Sequence, residues 1–286
     1  MSTFTKSLPT TAKHPPVHVT IPEHLKSHID ESKLFKFSPF NDWWNNLGRS
    51  VHKHENYLIK SITLQSVDLF GKPPHQKIGF IKFTAEVTDQ ESGEHVPGVT
   101  FMRGGAVGML CVLEAEEGNE EPQVILTVQP RIPMATFRMV EIPAGMVDES
   151  GKFAGQAAKE LKEECGLEIE EKELVDLTEL TFQTIRDEER KEGREGEGDG
   201  EVDAGQIGVY TSPGGSDEFL RLFLYRKKLP LQKIKELEGK LTGNLDEGEK
   251  ISLRLVPLKT LWRTTKDAKA LAALALWQGL KSEGRL

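Results

Sequence analysis

Three glutamates in residues 145–167 have the residue type and the spacing of a site for divalent cations. The segment is GMVDESGKFAGQAAKELKEECGL, in which Glu160, Glu163 and Glu164 stand at positions i, i+3 and i+4. A helix turns by about 100° per residue, so this spacing gathers all three carboxylates within one sector. Like charges at this spacing repel, and Mg²⁺ or Mn²⁺ relieves the repulsion by accepting hard oxygen ligands. A solvated acidic helix face is the alternative interpretation.

The same segment predicts the elements that position these glutamates. The run AGQAAKELKEEC consists of good helix formers, and Gly166 follows it at the C-terminal cap, where glycine is favoured. The small and apolar residues of the run fall on the sector beside the glutamates; they are Ala157, Ala158, Leu161 and Cys165. We therefore expect a helix with one packed face and one face of oxygen ligands, entered from a turn at PAGMVD.

This segment resembles the Nudix box, which is a glycine, five residues, a glutamate, seven residues, and then Arg-Glu-apolar-any-Glu-Glu-any-Gly-apolar. The frame holds over all 23 positions of residues 145–167. The matching residues are Gly145, Glu160, Leu161, Glu163, Glu164, Gly166 and Leu167. The resemblance implies an α+β fold, the αβα sandwich of the Nudix family with a mixed sheet.

Two positions depart from the box. Gly151 stands in place of its first glutamate, and Lys159 stands in place of its arginine. In the family those two side chains usually pair, so their absence implies the loss of a structural ion pair rather than of a metal ligand. Lysine keeps the charge but lacks the planar donor fork of arginine. Asp148 or Glu149 is expected to take over part of the bracing, and an impaired site is the alternative.

A second motif, YTSPGGSDE at residues 210–218, lies between two predicted strands. Its Ser-Pro-Gly-Gly run favours a fixed turn. Downstream of a Nudix box it resembles the SPGxSxE loop of the ADP-ribose and ADP-sugar pyrophosphatase branch. The resemblance implies that Ser212 and Gly214 bind the substrate, and that Glu218 reaches the metal cluster or acts on the attacking water. A plain turn is the alternative.

The same branch carries a Gln-any-Arg stretch before the box, which Gln129 and Arg131 match here. An arginine at this position is able to hold a diphosphate in bidentate fashion. A solvated arginine at a strand end is the alternative.

The resemblance implies a metal-dependent hydrolase that cleaves ADP-ribose or ADP-glucose to AMP and a sugar phosphate. Glu160, Glu163, Glu164 and the carbonyl oxygen of Ala144 are the expected ligands of Mg²⁺ or Mn²⁺. Glu160, Glu164 and Glu218 are the expected catalytic residues. Two alternatives remain: a Nudix module that binds a nucleotide without hydrolysing it, favoured by Gly151 and Lys159, and a Nudix enzyme for capped RNA or nucleoside triphosphates.

Composition gives no indication of a nucleic-acid or membrane partner. The net charge is −8, of which residues 187–205 contribute −6, from nine acids and three bases, so the rest of the chain carries only −2 and no basic footprint. No apolar stretch approaches the roughly 18 residues that span a membrane. The two cysteines, Cys111 and Cys165, are expected to be buried thiols, because two cannot form a disulfide framework.

The chain is expected to divide into three parts. Residues 1–56 are predicted to form an N-terminal tail and helical arm, residues 57–99 a β-rich subdomain, and residues 100–286 the Nudix domain, with a disordered acidic insertion at 187–205. Within these parts we expect helices that begin at Ser38 and Asp267, and strands at 57–67, 77–87, 106–113, 123–129, 136–142, 174–180, 207–210, 220–225 and 252–258.

Assembly and location are the remaining expectations. A two-stranded unit is not stable alone, so the apolar face of residues 57–99 needs a cover. The resemblance to the ADP-ribose pyrophosphatase branch implies a homodimer, because relatives in that branch cross this subdomain to a partner. Packing on the Nudix domain of the same chain is the alternative. The N-terminal 22 residues contain no acid, but they also lack arginine and are interrupted by prolines. A cytoplasmic location is therefore favoured, with an organellar presequence as the alternative.

Overall fold

The fold is taken from a computed structural model, which describes residues 2–9, 14–147, 152–183, 207–243 and 250–286. The described chain divides into two compact units. Unit 1 comprises residues 1–105 with 212–218, and unit 2 comprises residues 106–211 with 219–286. The acidic insertion 187–205, Gly151 and the two proposed bracing acids lie outside the described residues.

Unit 1 is a sheet with helices on one face. Its strands are β1 Ser2–Lys6, β2 Val17–Ile21, β3 Tyr57–Phe70, β4 Lys77–Asp89, β5 His95–Val96 and β6 Val99–Met102. Its helices are α1 Glu31–Lys36 and α2 Ser38–Lys53, preceded by a 3-10 turn at Glu23–Leu25. Among the described residues the strand order is β1-β2-β3-β4-β5 with β6 also on β4, and β2 runs parallel to β3.

The expectation of an N-terminal tail was wrong for the described part of residues 1–56. Val17, Val19 and Ile21 are buried and alternate with His18 and Thr20, which is the period-two pattern of a strand with one packed face. The predicted helix is confirmed as α2, although Phe37 rather than Ser38 occupies its N-cap.

The apolar face of β3 and β4 is covered within unit 1. Ile62, Leu64 and Phe83 pack into one core with the helix residues Phe40 and Trp44. This cover includes an edge-on contact of the Phe40 and Phe83 rings, whose centroids are 5.9 Å apart. The helical arm therefore covers the face that was expected to be covered by a partner.

Unit 2 is a mixed sheet between helices, and this confirms the predicted fold class. Its strands are β7 Ala106–Ala115, β8 Gln123–Arg131, β9 Thr136–Glu141, β10 Ala144–Met146, β11 Leu174–Asp176, β12 Val209–Tyr210, β13 Phe219–Leu229, β14 Leu241–Thr242 and β15 Ile251–Pro257. Its helices are α3 Phe153–Cys165, α4 at 177–183, α5 Leu231–Lys235, α6 Leu261–Thr264 and α7 Ala268–Ser282. Short 3-10 turns lie at Ile132–Met134, Glu171–Glu173 and Leu258–Thr260.

Strand β7 is buried on both faces, and its alternation separates two cores. Leu110 and Val112 face the core that contains α7 residues such as Ala273. Met109 and Cys111 face the core that contains α3 residues such as Leu161. The helices α3 and α7 thus cover opposite faces of the sheet. Cys111 and Cys165 are buried free thiols, as expected.

Strands β7 and β8 pair with each other at only one end of their length. In the described chain, β7 pairs with β8 at Val112–Val124 and Leu113–Gln123. Beyond that point β8 pairs with β9, and β7 pairs with β10. The link from β9 to β10, residues 142–143, therefore crosses between the two long strands and brings Ala144 and Gly145 to the face of α3.

One predicted strand was too long. Residues 174–180 were expected to be extended, but the strand ends at Asp176 and a helix follows. Asp176 Oδ1 accepts hydrogen bonds from Thr178 Oγ1 at 2.6 Å and from Glu179 N at 2.8 Å. This is N-cap geometry, and the sequence Asp-Leu-Thr-Glu carried its signal.

No helix in the described ranges is long and apolar enough to cross a membrane.

Candidate active site

Helix α3 carries the three glutamates and is fixed at its C-terminal end. Gly166 adopts the left-handed conformation at φ 67°, and its N–H donates to Lys162 O at 3.0 Å. The Gly166 bond is the one that defines an αL cap, and Leu167 N donates in addition to Leu161 O at 3.1 Å. The predicted helix and its cap are confirmed.

Glu164 is the buried member of the three. Its relative solvent exposure is 5%, which is within the range of the buried leucines of the core. Its Oε2 accepts from Ala144 N at 3.0 Å, and its Oε1 accepts from Gln129 Nε2 at 3.4 Å. Burial, with a contribution from the charge of Glu160, raises the pKa of Glu164 to about 8 against these hydrogen bonds. A cation beside it would offset that cost of burial.

Glu160 lies one turn earlier and contacts the loop that precedes the helix. Gln156 Nε2 donates to Glu160 Oε1 at 2.6 Å. A Cβ placed on Gly145 would come 1.9 Å from Glu160 Cδ and Oε1, so this carboxylate lies directly against the backbone of the loop. Glycine is required at position 145 because any side chain would displace Glu160.

Glu163 differs from the other two because it is exposed to solvent. Its Oε1 is 4.0 Å from Lys159 Nζ, and the two side chains are 42% and 59% exposed. An exposed pair at this distance contributes little to stability. The lysine at the arginine position of the box therefore faces Glu163 across one helical turn.

The donor set fits a hard divalent cation by its chemistry. Glu160 lies against Gly145 and Glu164 accepts from the amide of Ala144, so both carboxylates, which are hard oxygen donors, contact the same short backbone segment. In the part of the chain that the structure describes, no three His, Cys, Asp or Glu side chains are grouped so that they could hold a metal ion. The geometry thus brings together two of the three predicted glutamates and leaves Glu163 at the solvent side.

Arg131 lies at the end of β8 and is held by a carboxylate that sequence reasoning missed. Its Nε donates to Glu141 Oε1 at 2.6 Å; the arginine side chain is 39% exposed, whereas that of Glu141 is 5% exposed. The charge of Arg131 also acts to lower the pKa of Glu164, although less than burial raises it. The guanidinium is therefore anchored along one edge near the glutamates.

The C-terminal end of α3 has further partners that the sequence did not indicate. Thr242 Oγ1 donates to the carbonyl oxygen of Glu164, and Gly243 N donates to Glu163 O at 3.1 Å. The last carbonyl groups of a helix lack partners within it. Thr242 of strand β14 and Gly243 after it supply two of those partners. They donate to the carbonyl oxygens of Glu164 and Glu163.

The loop at 212–218 belongs to unit 1, where it is fixed to the end of β6. Asp217 Oδ1 accepts from Arg103 N at 2.7 Å, and Asp217 Oδ2 accepts from Gly104 N at 3.1 Å. Ser212 O accepts from Gly215 N at 3.1 Å and from Ser216 N at 2.9 Å, which confirms the predicted turn. Burial raises the pKa of Asp217 although these backbone hydrogen bonds oppose the shift.

Glu218, the predicted base, is in the same loop. Its Oε1 lies 3.3 Å from a terminal nitrogen of Arg103, and the two side chains are 18% and 31% exposed. A Cβ on Gly214 would meet nothing within 4 Å, so that glycine is open to its surroundings. The roles of Ser212, Gly214 and Glu218 toward a substrate stay predictions.

Comparison with known proteins gives one strong relative. No protein-family model matches the sequence. The chain is 36% identical over 250 residues to Nudix hydrolase 14, chloroplastic, of Arabidopsis thaliana, which covers 86% of this chain and 72% of that protein. A crystal structure described as an ADP compounds hydrolase aligns with a TM-score of 0.45 and 14% identity, over 80% of this chain and 98% of that one.

Proposed function

Because this chain belongs to the Nudix hydrolase family, we propose that it cleaves the diphosphate of ADP-sugars to AMP and a sugar phosphate. The observation that carries the proposal is the meeting of Glu160 and Glu164 with the backbone of Ala144 and Gly145. Glu164 is buried on the amide of Ala144, and Glu160 lies against Gly145. Two carboxylates that contact adjacent backbone residues, one of them buried, support a cation-dependent reaction over a solvated helix face.

The proposed cofactor is Mg²⁺ or Mn²⁺, held by Glu160, Glu164 and the carbonyl oxygen of Ala144, with Glu163 on the solvent side. When bound, such a cation neutralises diphosphate charge and makes a coordinated water more acidic. The oxygen-only donor set supports this choice of metal. Metal dependence itself is part of the proposal.

The remaining groups act on the substrate and on water. Arg131 would bind diphosphate oxygens through the nitrogens that Glu141 does not engage. By its resemblance to the SPGxSxE loop, Glu218 is the proposed acceptor of the proton of the attacking water. A bond then forms between the water oxygen and one phosphorus, and the bridging P–O bond breaks, with its electron pair leaving on the bridging oxygen. ADP-ribose would give AMP and ribose 5-phosphate, and ADP-glucose would give AMP and glucose 1-phosphate.

The choice of ADP-sugars rests on the loop at 210–218 and on Arg131, whose sequence resembles the ADP-sugar branch. The Arabidopsis thaliana relative supports the family alone, since its name specifies no substrate. A panel of ADP-ribose, ADP-glucose, other nucleoside diphosphate sugars, nucleoside triphosphates and capped RNA, assayed with Mg²⁺ for product release by chromatography, tests the choice. We expect AMP from an ADP-sugar at the highest kcat/KM; a higher value for triphosphates or capped RNA would contradict the substrate class.

A nucleotide-binding module without hydrolysis is the second candidate, and one contact favours it. Lys159 stands where the box has arginine, and it faces the exposed Glu163 at 4.0 Å. Under this candidate the panel would show binding of ADP-sugars, measured by calorimetry, with no release of AMP.

The homodimer also stays a proposal, with a different surface to support it. The face of β3 and β4 first considered is covered by α1 and α2. The opposite face carries Phe70, Phe80 and Phe101, whose rings form consecutive contacts at 4.9 Å and 5.1 Å. Phe70 is 45% exposed and Val99 is 54% exposed. Exposed apolar area of this kind supports contact with a second copy.

For location, the name of the curated relative supports an organelle. That protein is described as chloroplastic, and an organellar presequence was the alternative to the cytoplasm. Imaging the full-length protein fused to a fluorescent protein in a plant cell would distinguish the two compartments.

A further inference from the structure

A buried group of charges connects helix α7 to the segment that enters the site. Lys269 Nζ lies 3.0 Å from Glu141 Oε2 and 2.9 Å from Asp267 Oδ1. The side chains of Lys269, Glu141 and Asp267 are 18%, 5% and 4% exposed. Burial acts to lower the pKa of Lys269, but the charges of Asp267 and Glu141 outweigh it and raise that pKa. The lysine is therefore a largely covered cation between two buried carboxylates.

Residues 265–269 also hold the backbone of the entering segment. Ile142 N donates to Asp267 Oδ2 at 3.0 Å, and Thr265 Oγ1 donates to the carbonyl oxygen of Val140. Asp267 at the same time caps α7 by accepting from Lys269 N at 3.0 Å. The segment from Val140 to Ile142 is thus attached to the start of α7 by both backbone and side-chain contacts.

These contacts connect Lys269 to two groups of the proposed site, Arg131 and Glu164. Glu141 divides its two carboxylate oxygens between Lys269 and Arg131, at 3.0 Å and 2.6 Å. Two residues after Ile142, the amide of Ala144 donates to Glu164. Helix α7 covers the face of the sheet opposite α3, and Lys269 connects that side of the sheet to Arg131 through Glu141.

We propose that Lys269 is a positioning residue, which orients the guanidinium of Arg131 through Glu141 and fixes the backbone that meets Glu164. The proposal rests on the proposed function, since it assigns to Arg131 the binding of a diphosphate. Lys269 itself does not contact the substrate. If this lysine only stabilised the fold, its loss would lower the free energy of unfolding, and its effect on kcat/KM would not depend on Arg131.

A double-mutant cycle separates these two roles. Lys269→Met, Arg131→Gln and the double variant are assayed for kcat and KM with the best ADP-sugar of the panel. Partners one step removed from a metal site typically change activity by about 10- to 100-fold, and we expect Lys269→Met to lower kcat/KM in that range, mainly by raising KM. In the Arg131→Gln background the same change should lower kcat/KM by a clearly smaller factor, because the part of its effect that acts through Arg131 is already lost. An equal loss in both backgrounds would overturn the proposal.

The control is Lys259→Met, which removes an ion pair of the same length on the surface of the same unit. Lys259 Nζ lies 3.0 Å from Glu121 Oε2, and the lysine side chain is 67% exposed. We expect wild-type kinetics from this variant. If Lys269→Met does not fold, Glu141→Gln tests the same connection, because it keeps the size of the side chain and weakens both ion pairs; it should show the same non-additivity with Arg131→Gln.

A second measurement does not depend on the substrate. Hydrogen exchange of the peptide spanning residues 138–147 is followed by mass spectrometry in the wild type, Lys269→Met and Lys259→Met. Local opening of that segment should make its exchange at least about tenfold faster in Lys269→Met only. A wild type that hydrolyses none of the substrates contradicts the proposed function, and the exchange measurement then decides the inference alone: unchanged exchange overturns it.

Discussion

Glu164 combines burial, hydrogen bonding and charge in a way that a solvated glutamate does not. It is 5% exposed, accepts from Ala144 N and Gln129 Nε2, and has its pKa raised to about 8, by burial first and by Glu160 in addition. A buried carboxylate in this setting is costly to maintain without a compensating cation. This makes Glu164 the residue whose substitution reports most clearly on the site.

Glu164→Gln keeps the shape of the side chain and removes its charge. We expect turnover to fall by at least about 100-fold, as is typical when a group that stabilises transition-state charge is lost. The matched control is Glu168→Gln, whose side chain is 80% exposed and pairs with Lys162 at 2.9 Å. Turnover close to that of the wild type at saturating Mg²⁺ would rule out Glu164 as a metal ligand.

Gly145→Ala tests the contact between the loop and Glu160. The added Cβ would come 1.9 Å from Glu160 Cδ, so either the carboxylate or the loop must move. A displacement of about 1 Å at a reacting centre can cost about 100-fold in rate, and we expect a loss of that order in kcat. Gly279→Ala, where a Cβ would meet nothing within 4 Å, should leave kcat unchanged; equal kinetics for both variants would show that Glu160 is not held as described.

At the scale of elements, the C-terminal end of α3 depends on strand β14. Thr242 donates its hydroxyl to the carbonyl of Glu164, a residue 78 positions earlier in the chain. Thr242→Val keeps the shape and removes the donor, which should destabilise the fold by about 1 kcal/mol and lower the melting temperature by about 2–4 °C. Thr242→Ser keeps the hydroxyl and should melt close to the wild type. Identical melting of Thr242→Val and the wild type would mean that the contact does not stabilise the helix.

The sequence predicted the elements near the site well because their signals are local. Helix α3 follows from its helix formers and Gly166, and the sector that gathers Glu160 and Glu164 follows from helical spacing. The turn at Ser212 was predicted by Ser-Pro-Gly-Gly in the same way. The error at residues 174–180 came from giving β-branched and apolar residues more weight than the cap signal of Asp176.

The partners of the site residues could not be predicted, because they come from distant parts of the chain. Lys269 and Glu141 are 128 positions apart, and Arg103 and Asp217 are 114 positions apart. No periodicity relates such pairs, and they meet only through the order of the strands. Likewise, the outward position of Glu163 depends on how α3 is turned about its own axis when its residues Leu161 and Cys165 pack into the core, which the spacing of the glutamates alone does not fix.

The N-terminal unit itself covers the surface that was expected to bind a partner in the whole molecule. Its helical arm covers one face of the sheet, so a partner is not needed for that purpose. The aromatic face with Phe70, Phe80 and Phe101 is a candidate surface in the described part of unit 1. The homodimer therefore has a specific test.

Light scattering at low micromolar concentration should give the mass of a dimer for the full-length protein. Val99→Glu places a charge on the aromatic face, where Val99 is 54% exposed, and should shift the mass toward a monomer. Phe137→Glu, at a side chain of unit 2 that is 75% exposed, is the matched control and should remain dimeric. A full-length protein that is monomeric and fully active would contradict the homodimer.

The proposed reaction of this Nudix hydrolase is the cleavage of ADP-sugars with a divalent cation held at Glu160 and Glu164. The most direct test is the release of AMP and sugar phosphate from ADP-ribose and ADP-glucose by the purified wild type, first with Mg²⁺, then with excess EDTA, and then with Mg²⁺ restored. We predict equal amounts of the two products with Mg²⁺, none with EDTA, and full recovery on restoration. Absence of AMP from both substrates, or the same rate of AMP release in EDTA as with Mg²⁺, would contradict the proposed reaction.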